Sequence, residues 1–146
     1  ADLPYMSYEI INLAFEKLKS NNEINRVPIV LGPASEGGIY LVGLTHTFIP
    51  DWFTKYQLFR GGVEMEQFIY LIKKKNLHLS LLPPLYDIDI EEDLISLLSF
   101  IDAYKNSNSF EGFSFPKYTD EVIDDIGLYV QITNGKTRRR KLTKKK

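Results

Sequence analysis

The stretch VLGPASEGGIYLVGL, residues 30–44, places four of the chain's nine glycines within twelve residues. Apolar, mostly β-branched runs at 27–31 and 39–44 lie on either side of its PASEGG segment. This arrangement predicts two strands joined by a hairpin loop, in which glycine supplies positive φ angles. Gly32 and Gly43 lie outside the turn, and glycines at strand ends often mark the close approach of a ligand or of another backbone. The stretch therefore fits either a plain hairpin or a backbone that approaches a ligand.

The composition limits the classes of site that the protein can form. A length of 146 residues favours one domain with a substantial core. The chain has no cysteine, which excludes disulfides, thiolate metal ligands and cysteine nucleophiles. It has only two histidines, His46 and His78, so a metal would be held by oxygen ligands, as Mg²⁺ or Mn²⁺ is. Neither a run of about 18–20 apolar residues nor a signal-peptide pattern is present, and we expect a cytoplasmic protein.

The net charge of −1 conceals an asymmetric distribution of charge. Residues 136–146, KTRRRKLTKKK, hold eight of the eighteen basic residues and no acid. The remaining 1–135 contain ten basic and nineteen acidic residues, a balance of −9. We therefore expect a folded domain over 1–135 and a basic, flexible tail over 136–146. Without interleaved aromatic residues or a basic folded face, the tail does not favour a nucleic-acid partner.

The spacing of apolar residues predicts an α/β protein. Helices are expected from residue 7 to about 20, from 63 to 75, after the acidic segment 87–93, and over a short last stretch that Thr119 caps. A third strand is expected over 77–82. Helices that alternate with strands are typical of an at least partly parallel sheet. Because three strands are few for this class, we expect part of a larger mixed sheet, flanked by helices, whose N-terminal strands are missing from this chain.

Acidic residues stand at two predicted strand ends and at the loop tip. Asp2 precedes a proline at a strand-to-helix turn, where doubly wound folds bind ligands, although a simple Asx turn also explains it. In DIDIEEDL (87–94), Asp89 and Glu92 have the spacing of a helix capping box. Asp87 is not needed by that cap, and a bound cation would relieve the repulsion among these carboxylates. Glu36, at the tip of the loop, can orient an acceptor hydroxyl or act as a base.

Three segments in this order, ADLP (1–4), VLGPASEGGIYLVGL and LSLLPPLYDIDIEEDL (79–94), resemble the C-terminal half of the DUF2064 family. The family pattern reads roughly S-D-x-P, then G-P-x-x-D-G-G-Y-Y-L-x-G-L, then D-x-D-T-x-E-D-L. The resemblance implies a GT-A (nucleotide-diphosphosugar transferase) fold and a glycosyltransferase-like protein that acts on a nucleotide or nucleotide sugar.

The resemblance also implies roles for individual residues. Asp2, Asp87 and Asp89 match positions that bind a divalent cation, Mg²⁺ or Mn²⁺. Gly37 and Gly38 match the pair that lines the acceptor side of the cleft. Glu36 stands where the family has an aspartate, and we expect it to be catalytic.

Two functional hypotheses follow. In the first, the chain is the acceptor and metal half of a metal-dependent nucleotide-sugar or nucleotidyl transferase, completed by a missing N-terminal segment or by another chain. In the second, it is a degenerate, non-catalytic GT-A-like binding or structural module that acts through a partner. The retained acids favour the first, because clustered carboxylates cost stability without a cation. The change to Glu36, and Val63 and Glu64 near a position where the family usually has tryptophan, favour the second.

The aromatic residues and the histidines receive structural interpretations. Trp52, Phe53 and Tyr56 are expected to form a small core under a loop rather than a surface that stacks on sugars. We expect His46 to lie in a surface loop and His78 to be a structural strand residue.

Overall fold

The computed structural model of the protein describes residues 3–20, 25–107, 114–135 and 139–145. The chain divides into two compact units. Met6–Tyr86 is called the sheet unit, and Ala1–Tyr5 together with Asp87–Lys146 is called the helical unit. Asp2, one of the predicted metal ligands, lies outside the described residues.

The described part of the sheet unit contains three α-helices and three strands: α1 (Tyr8–Ser20), β1 (Pro28–Pro33), β2 (Ile39–Leu44), α2 (Trp52–Lys55), α3 (Glu64–Lys75) and β3 (His78–Leu81). The strands form a sheet of order β2–β1–β3, in which β1 is antiparallel to β2 and parallel to β3. The predicted α/β class, the mixed sheet and the 30–44 hairpin are therefore confirmed. The expectation of further strands before Ala1 stays a prediction.

The central strand β1 is buried on both faces. Ile29, Val30 and Leu31 are each 0% exposed. Since successive strand residues point to opposite faces, Ile29 and Leu31 share one face, where they join a core built largely from α2, α3 and the segment between them. Leu18 of α1 packs beside Val30, on the opposite face. Burial on both faces explains why this strand reads as a continuous apolar run rather than as an alternating pattern.

Helix α1 buries a narrower face than its sequence predicts. Ile10, Ala14 and Leu18 are buried, as helical spacing requires. Ile11 and Phe15 are instead 41% and 58% exposed.

The helical unit contains α4 (Glu91–Lys105), α5 (Lys117–Ile126), β4 (Leu128–Ile132) and β5 (Arg140–Lys144). The two strands pair antiparallel as a separate sheet. Lys105 of α4 forms an ion pair with the buried Asp120 of α5, with Nζ 2.6 Å from Oδ1. This hydrogen bond raises the pKa of Lys105. The sequence did not predict β4 or β5, and β5 lies within the basic segment 136–146.

Two predicted helix starts are wrong, that of α5 by three residues and that of α4 by one. Helix α5 begins at Lys117 after Pro116, so Thr119 lies in its first turn and is not the cap. Helix α4 begins at Glu91. The side chain that caps its start belongs to Asp93 rather than to Glu92. The Asp93 Oδ2 atom accepts hydrogen bonds from the backbone N–H groups of Asp89 and Ile90, both at 3.1 Å. Asp89 therefore lies just outside the helix and does not occupy the predicted N-cap.

Within the described ranges, none of the helices combines the length and the apolar character needed to cross a membrane.

Candidate functional site

The loop between β1 and β2 is one 3₁₀ turn, Ser35–Gly37. Two backbone hydrogen bonds close it: the Ala34 N–H donates to the Gly38 carbonyl, and the Gly38 N–H donates to the Ser35 carbonyl, both at 2.9 Å. Glu36 and Gly37 have φ values of 54° and 83°, whereas φ of Gly38 is −68°. Of the predicted glycine pair, only Gly37 therefore requires the conformational freedom of glycine.

Glu36 lies at the exposed tip of this loop. Its left-handed backbone conformation is rare for a residue other than glycine, asparagine or aspartate. Such conformations cost roughly 1–3 kcal/mol and occur preferentially at functional sites. The backbone conformation is thus a second feature, independent of the sequence pattern, that favours a functional role for Glu36.

Helix α3 brings a second carboxylate to the loop. A Cβ atom placed on Gly37 would lie 3.9 Å from Oε1 of Glu66, an exposed residue in the first turn of α3. Glu36 and Glu66 therefore both lie next to Gly37. Sequence analysis missed Glu66 because it is distant along the chain and belongs to an ordinary amphipathic helix. In the sequence, the only sign of a role for Glu66 was the presence of glutamates at the start of a helix just after Gly61-Gly62.

The protein's own side chains account for the two outer glycines of the stretch. A Cβ on Gly32 would overlap the ring of Tyr40, at 2.6 Å from Cε2 and 2.8 Å from Cε1. A Cβ on Gly43 would lie 3.1 Å from Cβ of Val30 and 3.2 Å from Cδ1 of Leu18. The close approach expected at these positions therefore exists, and the approaching groups are Tyr40, Val30 and Leu18.

Tyr40 also connects the hairpin to the segment that follows β3. Its hydroxyl donates to the Pro83 carbonyl at 2.8 Å. In the same segment, the Leu82 and Leu85 N–H groups donate to Leu31 and Pro33 at 2.9 and 3.0 Å. Burial raises the pKa of Tyr40 to about 12, so the phenol stays protonated and remains a donor. These contacts fix the base of the loop that carries Glu36.

The predicted metal ligands Asp87 and Asp89 lie in the helical unit, on the irregular segment before α4. Asp87 is half-buried and Asp89 is exposed. Across residues 3–20, 25–107, 114–135 and 139–145, no three histidine or carboxylate side chains gather as a metal site would require. Carboxylate oxygens suit a hard cation, so the donor chemistry fits Mg²⁺ or Mn²⁺. The set Asp2, Asp87 and Asp89, and its association with the loop of the sheet unit, stay predictions.

The aromatic residues pack into a core, as predicted, but this is the main core of the sheet unit rather than a small separate one, and the histidines have the predicted positions. Trp52 and Tyr56 are each 8% exposed and belong to the core of the sheet unit. Phe53 packs against that core. His46 is exposed in a turn, and His78 is a residue of β3.

Residues 1–60 match the family described as "Uncharacterized protein conserved in bacteria (DUF2064)". No curated protein matches the chain. The fold is similar to that of a solved "putative nucleotide-diphospho-sugar transferase" from Desulfovibrio desulfuricans G20, with a TM-score of 0.59 and 24% sequence identity. The similarity covers 85% of this chain and 49% of that protein, so this chain spans about half the length of its structural neighbour.

These two likenesses confirm the resemblance predicted from the three sequence segments. The chain is similar to DUF2064 proteins over residues 1–60, and its fold is similar to that of about half of the solved neighbour.

Proposed function

We propose that this chain forms the acceptor side of a transferase that uses a nucleotide sugar or another activated nucleotide. The observation that carries the proposal is the exposed Ser35–Gly38 loop of a nucleotide-diphospho-sugar transferase fold, with Glu36 in a left-handed conformation. An exposed acid that is retained in an unfavourable conformation is better explained by a function than by stability.

The chemistry assigned to the loop is the binding and activation of an acceptor hydroxyl. The Glu36 carboxylate accepts a hydrogen bond from the hydroxyl and takes its proton as the hydroxyl oxygen forms a bond to the transferred group. The bond between that group and its diphosphate leaving group breaks in the same transfer, and the diphosphate leaves with the electron pair of that bond. Gly37 leaves the backbone side of the loop open, because it has no side chain to obstruct the acceptor. Glu66, close to Gly37, supplies a further hydrogen-bond acceptor for the same ligand.

A divalent cation is the second part of the proposal. Asp2, Asp87 and Asp89 would hold Mg²⁺ or Mn²⁺. When bound, the cation would neutralise negative charge on the diphosphate during transfer. The structural neighbour's description as a nucleotide-diphospho-sugar transferase supports a substrate of that class.

Isothermal titration calorimetry with a panel of nucleotide sugars, with and without Mn²⁺, tests the proposal. We expect one nucleotide class to bind only when a divalent cation, Mn²⁺ or Mg²⁺, is present, and we expect Asp89→Asn to weaken that binding at least tenfold. Glu36→Gln should leave nucleotide binding unchanged and reduce transfer about 10²-fold or more, because it removes the base. Glu16→Gln, which neutralises an exposed acid of α1, is the matched control and should behave as the parent protein. Failure of every nucleotide to bind, with or without metal, would contradict the proposal.

A non-catalytic binding module that acts through a partner is the second candidate. The observation that favours it is the outward face of α1, where Tyr8, Ile11 and Phe15 are 72%, 41% and 58% exposed. Under this alternative, no nucleotide binds, and Phe15→Ser reduces partner binding without destabilising the fold. Metal-dependent nucleotide binding that Phe15→Ser leaves unchanged would support the transferase instead.

A further inference from the structure

The sheet unit contains a cleft that is separate from the Ser35–Gly38 loop. Its volume is about 270 Å³, and it is lined by Lys55, Tyr56, Gln57, Gln67, Tyr70 and Lys74. We call it the cationic cleft. Among the residues that the structure describes, its lining contains two lysines, two tyrosines and two glutamines and no carboxylate. This composition favours an anionic ligand that also carries hydrogen-bonding groups.

Two segments build the cationic cleft. Lys55 ends α2, and Tyr56 and Gln57 follow it directly. Gln67, Tyr70 and Lys74 lie at positions i, i+3 and i+7 of α3, so they occupy one face of that helix. Both segments pack on the core through buried residues such as Trp52 and Phe68, so the cleft has a fixed floor.

Lys74 is held in place by neutral aromatic groups. Its Nζ donates to the Tyr70 hydroxyl at 2.9 Å. The same nitrogen lies 5.5 Å from the ring centroid of Tyr56 and 5.1 Å from that of Tyr70. The hydrogen bond to Tyr70 raises the pKa of Lys74, which keeps the ammonium charged. Within the part of the chain that the structure describes, the ion pairs involve Lys105 and Lys117, not the lysines of this cleft.

One contact of Gln57 suits ligand binding. Its Oε1 accepts a hydrogen bond from Nη1 of Arg60 at 2.6 Å. This bond orients the amide and leaves the two N–H groups of Nε2 as donors. It also brings a third cation, Arg60, next to the cleft.

We propose that the cationic cleft binds a small sugar that carries a phosphate monoester. Lys55 and Lys74 bind the phosphate, because ammonium groups form charge-assisted hydrogen bonds with phosphate oxygens. The amides of Gln57 and Gln67 bind sugar hydroxyls. The ring of Tyr70, 53% exposed, provides an apolar surface for the carbon face of the sugar.

The size of the cleft suits a ligand of this class. Its volume of about 270 Å³ lies just below the roughly 300–1,000 Å³ of ordinary ligand sites, which suits a monosaccharide phosphate better than a dinucleotide. Free phosphate would leave the amides and the Tyr70 ring without a role. The cleft lies wholly within the sheet unit and does not depend on the proposed transferase activity.

The test measures binding to the parent chain of three probes: glucose 6-phosphate, inorganic phosphate and glucose. We expect glucose 6-phosphate to bind at least tenfold more tightly than either of the others, with an affinity that falls as salt increases. Lys55→Met and Lys74→Met should each weaken its binding about tenfold, since each removes a charged hydrogen bond to the phosphate. Lys74→Arg keeps the charge and should retain most of the binding.

The control is Lys19→Met, which removes an exposed lysine of α1 and should leave binding unchanged. Equal affinity for inorganic phosphate and glucose 6-phosphate would overturn the proposal in favour of a simple anion site. Equal loss in Lys19→Met and in the two cleft variants, or no binding of glucose 6-phosphate, would also overturn it. Because Lys55 is exposed at the end of a short helix, its replacement tests the cleft even if Lys74→Met disturbs the fold.

Discussion

At the scale of single residues, the glycines of the hairpin occupy their positions for different physical reasons. Gly37 and Gly38 are adjacent, yet only Gly37 has a positive φ, of 83°. Gly32 has a different requirement again, because the Tyr40 ring lies where its Cβ would be. Four glycines in one stretch thus carry at least two separate physical constraints.

The two adjacent glycines yield a matched pair of substitutions. Gly37→Ala should lower the free energy of unfolding by about 1–2 kcal/mol, because alanine is disfavoured at positive φ. Gly38→Ala should avoid that backbone penalty, since φ of −68° and ψ of 171° are accessible to any residue. Urea unfolding of the two variants measures the difference. Equal destabilisation by both would show that the loop does not have this conformation.

Residue types in this stretch predicted the loop but not the groups that approach it. The apolar runs and the glycines are local signals, and they predicted both strands and the positive φ. The approach of Tyr40 to Gly32 depends on strand register, which places Gly32 opposite Leu41 beside the bulge at Pro33. Glu66 reaches Gly37 through tertiary packing alone. Neither contact leaves a local trace in the sequence.

At the scale of elements, the sequence predicted four helices and the three strands of the larger sheet, and it missed the short elements α2, β4 and β5. Helices α1, α3 and α4 and strands β1 to β3 have the expected types and positions. Strands β4 and β5 were missed because β5, RKLTK, is mostly charged and pairs with β4 at an exposed position. The start of α4 shifted because three consecutive acids, Glu91 to Asp93, offer competing caps, and only backbone geometry selects among them.

The cap of α4 gives a prediction at this scale. Asp93→Ala removes the acceptor for two backbone N–H groups and should lower the free energy of unfolding by about 1 kcal/mol. Glu91→Ala, in the same turn, removes only a favourable interaction with the helix dipole and should cost about 0.3–0.5 kcal/mol. Urea titration followed by helical circular dichroism compares them. A larger loss for Glu91→Ala would contradict the cap assigned to Asp93.

At the scale of the whole molecule, we expect ionisation of Tyr40 to lower the stability of the protein at alkaline pH. Its pKa is raised from 10.0 to about 12 in the folded protein because burial disfavours the phenolate. The resulting contribution to stability is fully present below pH 10 and is lost as the pH rises toward 12. Stability should therefore fall with increasing pH across this window.

Unfolding measured between pH 9 and 12 tests this behaviour. The free energy of unfolding of Tyr40→Phe should fall less steeply across that window than that of the parent protein. At neutral pH the substitution should lower this free energy by about 0.5–1.5 kcal/mol, because it removes the hydrogen bond to Pro83. Tyr118→Phe, which changes a tyrosine that is 80% exposed, is the control and should follow the parent protein. An alkaline slope that Tyr40→Phe does not reduce would contradict the assignment to Tyr40.

The claim that the Ser35–Gly38 loop is the acceptor site is tested most directly by an NMR titration of the ¹⁵N-labelled protein in the presence of Mg²⁺. The nucleotide sugar that binds best by calorimetry is added first, and its acceptor is added second. We expect addition of the acceptor to shift the amide resonances of Glu36, Gly37 and Gly38, and we expect Glu36→Gln to reduce these shifts. Shifts elsewhere with none in the Ser35–Gly38 loop would contradict the claim that this loop is the acceptor site.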